Sequence, residues 1–408
     1  MNNTKNYNSS YRKELLTVSL AVGFVPFKCL PLINPNKASI QHIVNIYIAE
    51  GDFEKYHKKD IWALAPTQQL RDRIYRSDQS EKENLGKKFS EPLKDYYKEY
   101  SMNEFYKLKS SDKKYDSRKI RALRNGEVFT FFYGAGFDTL PGSKKNLNEL
   151  TGSEQEIADT TFFPFRELTN INKNIYFNDS EYEIKEDATE AINLTKINGI
   201  ISLKGAESTY TVINAGKKLD QYKRNGERKS IIYINNILAS TTLPQISGCI
   251  ILYSSEIPIK KLIYCESKER QFANNLFEAY EETNMFVVPL TPEGQELTKI
   301  MNNKYWQEKL NAITIKKDWR TNNNAYVTFD GTHYDETKKI TYYHFNFLIP
   351  NIARLKKFLY FAESNANNEA IYCIYCYDFQ KSLLEDICPP TVELRPIPFK
   401  FVKSHLEN

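Results

Sequence analysis

Residues 198–218 read NGIISLKGAESTYTVINAGKK. Gly199 to Leu203 and Thr209 to Ala215 are β-branched, apolar and aromatic runs, the composition of two neighbouring strands. Each run has an amide beside it or near its end, Asn198 and Asn214, and Lys217 follows shortly after. Around this pair, further strands are expected at 174–178, 247–254 and 285–290. Helical patterns are expected at 217–238 and 257–282. Strands and helices in that order give a mixed sheet with helices on its faces.

The pair has the outline of a metal-dependent nuclease core of the restriction type, which sets an Asp before one strand and Glu-x-Lys at the end of the next. A hard divalent cation needs oxygen ligands, and carboxylates hold it best. The metal activates water while the Lys orients it or stabilises charge. Here Asn198 and Asn214 stand at the two acid positions, and Lys217 falls one place late. An amide oxygen carries no net charge, so the expectation is a degenerate core with no metal and no catalytic residues. A rival acid set, Glu256 with Glu266-Ser267-Lys268, lies in material that reads as helix, where a solvated helix end accounts for it.

The chain has 408 residues, 41% hydrophobic and 26% charged, long enough for two or three domains. Its six Cys, at 29, 249, 265, 373, 376 and 388, are spread thinly. That pattern fits a reducing cytoplasm better than a disulfide framework. Cys373-x-x-Cys376 lies in a strand-like run, so the two thiols face opposite ways and read as small buried hydrophobes rather than zinc ligands. Residues 14–33, ELLTVSLAVGFVPFKCLPLI, resemble a membrane helix, but Glu14, Pro26, Lys28 and Pro31 interrupt them. Two helices off the membrane are expected instead. No internal repeat is evident, and the polar start MNNTKNYNSS reads as frayed.

Charge is uneven. Residues 1–125 hold 24 Lys and Arg against 15 Asp and Glu, whereas the whole chain holds 56 and 51, so the acids predominate after position 125. A basic leading third suggests a polyanion-binding module. Helices are expected at 11–22, 25–33 and over ASIQHIVNIYIAEG, with Gly23 and Pro26 at the first break and Gly51 ending the third. A basic hairpin-like segment follows, EKYHKKDIWALAP, with a strand at 60–64 and Thr67 as a cap for the next helix. That is the order of a winged helix-turn-helix, whose third helix lies in the major groove while the wing touches phosphate. Lys37, Gln41, His42 and Asn45 occupy the free face of the third helix. Lys55, His57, Lys58 and Lys59 supply the wing. These residue types suit base edges and phosphates; the plainer reading is a small helical bundle with a solvated face.

Charged and aromatic spacers fill 77–117, then a helix with a basic start, from about Arg118 to Tyr133, is stopped by Gly134-Ala135-Gly136. That Gly-Ala-Gly lacks the strand-before-helix context of a phosphate loop. The last hundred residues alternate strand and helix, as in a small doubly wound unit or an extension of the middle sheet. His333 and His344 lie near a hairpin there, with Asp330 and Asp335 close by. No Ser nucleophile in an elbow context is visible.

The chain resembles the replication-relaxation-like proteins of Firmicute plasmids and integrative conjugative elements. The resemblance runs through SRKIRALRNGEVFTFFYGAGF, INGIISLKGAESTYTVINAGKK, FANNLFEAYEETNMFVVPLTPEGQELTKIM and YVTFDGTHYD to IYCIYCYDF. It implies a DNA-binding protein of a mobile element, linked to plasmid replication or conjugative transfer, and carries over no catalytic residues. The expectation is therefore an α+β chain: a winged helix with helical spacer at 1–110, a nuclease-like α/β domain at 111–300 and a C-terminal α/β unit at 301–408. Double-stranded DNA is the expected partner, with a second copy or a replication or transfer protein as further partners. No cofactor, membrane or enzymatic activity is expected. The rival functions are a metal-dependent endonuclease or nickase, and a protein-binding adaptor.

Overall fold

A computed structural model of the chain describes residues 3–33, 37–58, 61–75, 90–96, 115–169, 171, 195–264, 267–280, 284–321, 329–366 and 369–407. The strand expected at 174–178, most of the spacer region, Glu266 and Lys59 lie outside the described residues.

The leading module runs α1 (Asn3–Val22), β1 (Val25–Pro26), α2 (Leu30–Ile33), α3 (Lys37–Ala49), β2 (Phe53–Lys58), β3 (Ile61–Pro66) and α4 (Gln68–Tyr75). Its strands form one antiparallel sheet in the order β1-β3-β2. Two details differ from the sequence expectation. α1 starts at Asn3 rather than after a frayed segment, because its second half, Leu15–Ala21, is buried on every side and helix, once nucleated, extends cheaply. Residues 25–33 are not one helix: Pro26 is extended and Val25 pairs with Leu64, as the restriction on a residue before proline favours. Thr67 does cap α4, accepting from the Leu70 amide at 3.2 Å.

After the short helix α5 (Glu91–Tyr96) comes α6 (Tyr115–Gly134), which joins module to body. Val128, Phe129, Phe131 and Phe132 of its second half are buried in one continuous core with Leu16, Val44, Leu64, Phe162 and Val212. At its end a Cβ on Gly134 would sit 2.0 Å from the Leu32 carbonyl, so only glycine allows this approach to α2. Buried Gln295 crosses the same junction, donating to the carbonyls of Leu32 at 3.1 Å and Phe131 at 2.9 Å. The chain then turns at Gly136, φ +82°.

The body holds two five-stranded sheets. The first is β4 (Thr161–Pro164), β5 (Ile197–Leu203), β6 (Ser208–Asn214), β7 (Ile246–Tyr253) and β8 (Asn284–Pro289), paired in that order. Helices α7 (Leu147–Leu150), α8 (Phe165–Thr169), α9 (Arg224–Leu238), α10 (Glu256–Ile263) and α11 (Ser267–Ala279) accompany it. Helices α12 (Pro292–Met301) and α13 (Trp306–Thr314) lead to the second sheet: β9 (Arg320–Thr321), β10 (Gly331–Asp335), β11 (Ile340–Asn346), β12 (Ala370–Tyr377) and β13 (Val392–Ile397). Its helices are α14 (Ile352–Ser364), α15 (Lys381–Glu385) and the closing α16 (Phe399–Glu407).

In both sheets the first two pairings are antiparallel and the last two parallel. The last hundred residues thus form a sheet of their own, but a mixed one. The four-residue link 336–339 between β10 and β11 is far too short for the crossover a parallel pair requires.

The repeat that is invisible in the sequence reaches into local detail. Gly199 pairs with Val212 as Gly331 pairs with His344, and Ile201 with Tyr210 as His333 with Tyr342. Each hairpin turns through a residue of positive φ, Glu207 at 50° and Lys339 at 55°. The first sheet is buried on both faces, every residue of β5 and β6 included. The second is buried on one face by α14 and α15, and its strands β10 and β13 remain half-exposed.

Candidate functional site

Two places were marked in the sequence, and they differ in kind. At the leading module, α3 buries Val44 and Tyr47 and turns His42 and Asn45 to solvent. Lys37 and Gln41 lie on the same helix and His57 and Lys58 on β2, with side chains outside the described residues. Lys55 is exposed on β2. Trp62, opposite His57 in the hairpin, is 52% exposed, and the sequence reading passed over it. A large aromatic left half in water on a two-stranded ribbon is a feature that burial does not explain. Behind the hairpin Arg73 holds buried Asp52 at 3.0 Å, and Asp52 takes the Tyr47 carbonyl through its own amide at 3.0 Å. This fixes where β2 leaves α3.

The second place is the amide pair. Asn198 sits where the β5 register slips, between Ile197 and Gly199, so its side chain turns to the end of β6. Its Oδ1 accepts from the Asn214 amide at 2.7 Å, and its Nδ2 donates to Asn125 Oδ1 of α6 at 2.7 Å. Asn214 donates through Nδ2 to Glu127 Oε2 at 2.6 Å and accepts from the Gly216 amide at 3.0 Å. Both amides are buried and every polar atom of each has a partner within the chain.

Glu127 of α6, to which no motif in the sequence draws attention, is the buried carboxylate here. Lys28 of the leading module reaches it at 2.7 Å. A carboxylate taken out of water needs such a partner. Lys217 is exposed, three residues beyond Asn214. Nearby, Arg124 pairs with Asp220. Buried Glu227 accepts from Thr195 Oγ1 and the Lys196 amide; burial raises its carboxyl above the ordinary range while those two bonds pull the other way.

The second sheet carries the same knot in different residues. The Asn346 amide donates to Asp330 Oδ2 at 2.7 Å across the same 16-residue separation as Asn214 and Asn198. Asn346 Oδ1 accepts from the Leu348 amide at 3.1 Å, as Asn214 Oδ1 does from Gly216. Asp330 is a carboxylate, and Arg354 of α14 holds it at 2.6 Å.

Cys373 and Cys376 are free, buried and on opposite faces of β12: Cys376 lies in the core between the sheets, Cys373 beside Glu393. Burial pushes both thiols up to about 12. Among the described residues no three His, Cys, Asp or Glu side chains converge as a metal site would require. No described helix is long and apolar enough to cross a membrane. No protein-family model, curated protein or solved structure matches this chain, so the likeness to replication-relaxation-like proteins rests on the residue patterns alone.

Proposed function

We propose that the chain is a non-enzymatic, double-stranded-DNA-binding protein of a mobile genetic element, linked to plasmid replication or conjugative transfer. In this reading the leading module is a winged helix. α3 enters the major groove with His42 and Asn45, beside Lys37 and Gln41, and the β2–β3 hairpin lays Lys55, Lys58 and Lys59 on phosphate. The observation that supports it most is the placement of His42 and Asn45 on the exposed side of α3, next to a hairpin with Lys55 and Trp62 exposed. The mobile-element link is supported by the sequence resemblance. The first sheet is taken as a nuclease-like core in which the acid positions have become hydrogen-bonding amides, with Lys28 neutralising the carboxylate that remains beside them.

The test is a gel shift with the full chain, because the core of the module is continuous with the body. Neutralising four phosphates by Lys37, Lys55, Lys58 and Lys59 gives a slope of about −3 to −4 in log affinity against log salt. Replacing Lys58 and Lys59 by Ala weakens all duplexes alike, whereas Gln41→Ala or Asn45→Ala changes the ranking among sequences. Affinity that is absent at low salt, or indifferent to salt, overturns the reading. A plasmid-nicking assay with magnesium or manganese separates it from a nickase: cleavage that Glu266→Ala abolishes would favour the enzyme.

A further inference from the structure

One face of the second sheet carries polar chemistry that the first sheet lacks. At matched register the first sheet has Ile201, Val212, Leu252, Phe286 and Val288, all in the core shared with the module. The second has His333, His344, Tyr375, Glu393 and Arg395. The rings lie in one stack: Trp319 is 3.8 Å from His344 and 5.1 Å from His333, and Tyr342 is 4.7 Å from His333. A cation stands near each end, Lys316 at 5.7 Å over Trp319 and Arg395 at 6.0 Å over Tyr342.

A hydrogen-bond chain runs through the stack, with one fixed donor at its end. Arg395 donates to Tyr375 Oη at 3.2 Å, and a guanidinium cannot accept. The Tyr375 oxygen accepts there, and with its own proton turned to His344 Nδ1, 3.3 Å away, the chain runs inward from Arg395. His344 is then protonated on Nε2 and donates to His333 Nδ1 at 2.8 Å. This leaves His333, half-buried at the surface, with its Nε2–H as an outward donor. The acids around it are occupied or exposed. Glu393 binds Arg395 through both oxygens, at 3.4 and 3.2 Å. Asp335 accepts from Thr337 and Lys338 in the turn, and Asp318 lies exposed beside Lys316, Lys317 and Arg320.

We propose that this face binds a phosphate group, which accepts from His333 Nε2–H and is drawn by Lys316 and Arg395, whether borne by a nucleotide or by a nucleic-acid strand. A phosphate offers several acceptor oxygens to convergent donors and keeps its charge at neutral pH. Both imidazoles are held below their ordinary range, His333 by burial and by Lys316 and Arg395, and His344 by burial, then His333, Arg395 and Lys316, at about 3. The imidazoles therefore stay neutral until an anion arrives; the doubly protonated His333 that the anion favours turns the chain around, His333 Nδ1–H donating to His344 Nε2 and His344 Nδ1–H to the Tyr375 oxygen. The site is separate from α3 and the hairpin, and stands or falls apart from duplex binding there.

Histidine-selective NMR of the full chain reads it, with inorganic phosphate, a mononucleotide and a short single-stranded oligonucleotide as probes. Phosphate is expected to shift the His333 resonances and raise its pKa. Lys316→Gln, an exposed change that leaves the fold intact, and Arg395→Gln should each weaken binding by about tenfold. Tighter binding of the oligonucleotide than of phosphate assigns the occupant to a strand; equal binding assigns it to the free group. His333 resonances that none of the probes moves, or that the probes move as readily in both variants as in the wild type, overturn the proposal. Asn45→Ala serves as the control, since it should alter duplex binding alone.

Discussion

The two five-stranded sheets share their pairing order, a positive-φ hairpin turn and an Asn knot at the end of the third strand, yet they are used differently. In the first, both faces are covered, one by α6 and the leading module, the other by α9, α10 and α11. In the second, one face is covered and the other keeps a His–Tyr–Arg chain under Trp319. Backbone order is therefore set by turns and hydrogen bonds that both copies retain. Whether a face is covered is set by the side chains at alternate positions, and most of those differ on this face, Tyr210 and Tyr342 being alike. A polar chain at 3 Å spacing on a face that is free to be apolar is where a ligand role belongs.

The comparison breaks first if the faces are interchangeable. Val212→His places an imidazole in the packed face of the first sheet, with no partner and excess volume, and should cost about 4 kcal/mol in urea unfolding. The reciprocal His344→Val should cost about 1 kcal/mol, since His333 and Tyr375 can turn to water. Equal costs would show that the second face is as closed as the first.

The knots come next. Asn214→Ala strands Glu127 Oε2 and the Gly216 amide in the core and should cost about 3 kcal/mol, with Asn346→Ala close behind through the Leu348 amide and the Leu310 carbonyl. A knot that tolerates alanine in one sheet only would separate the two copies. Asp330→Asn converts the second knot to the first and keeps an acceptor for the Asn346 amide, so only the Arg354 pairing is lost, at about 1 kcal/mol.

A further effect is with pH. His344 titrates near 3 in the fold and at about 6.5 unfolded, so the unfolded chain takes up the proton first. Its contribution to stability is complete above about 6.5 and is lost as pH falls towards 3. Thermal melts of the wild type and His344→Val should converge on acidification and then change order; a gap that stays constant would mean that the imidazole is not held neutral.

Much of the architecture is legible in the chain. The apolar runs of β5 to β8, the Thr67 cap and the stop at Gly136 are local signals, read from a few consecutive residues. INGIISL and STYTVIN are buried along their whole length, whereas GTHYD and ITYYHFN are buried only in part and set polar side chains such as His344 and Asn346 in the interior. The hairpin at 53–66 was half legible: FEKYHK alternates like a strand, but its charge reads as a loop.

The sequence by itself determined most of the elements, the cationic lead and the amides at 198 and 214, because each depends on residues close together along the chain. The tertiary structure decided what those residues meet. Glu127 reaches Asn214 across 87 positions, and Arg395 joins Tyr375 across 20. It also showed that the sheet is repeated. A hydrogen bond needs about 3 Å in space and is indifferent to distance along the chain, so such partners leave no local mark. The repeat survives in turn geometry and backbone pairing, which many side chains satisfy equally, and so it leaves almost no trace in the letters.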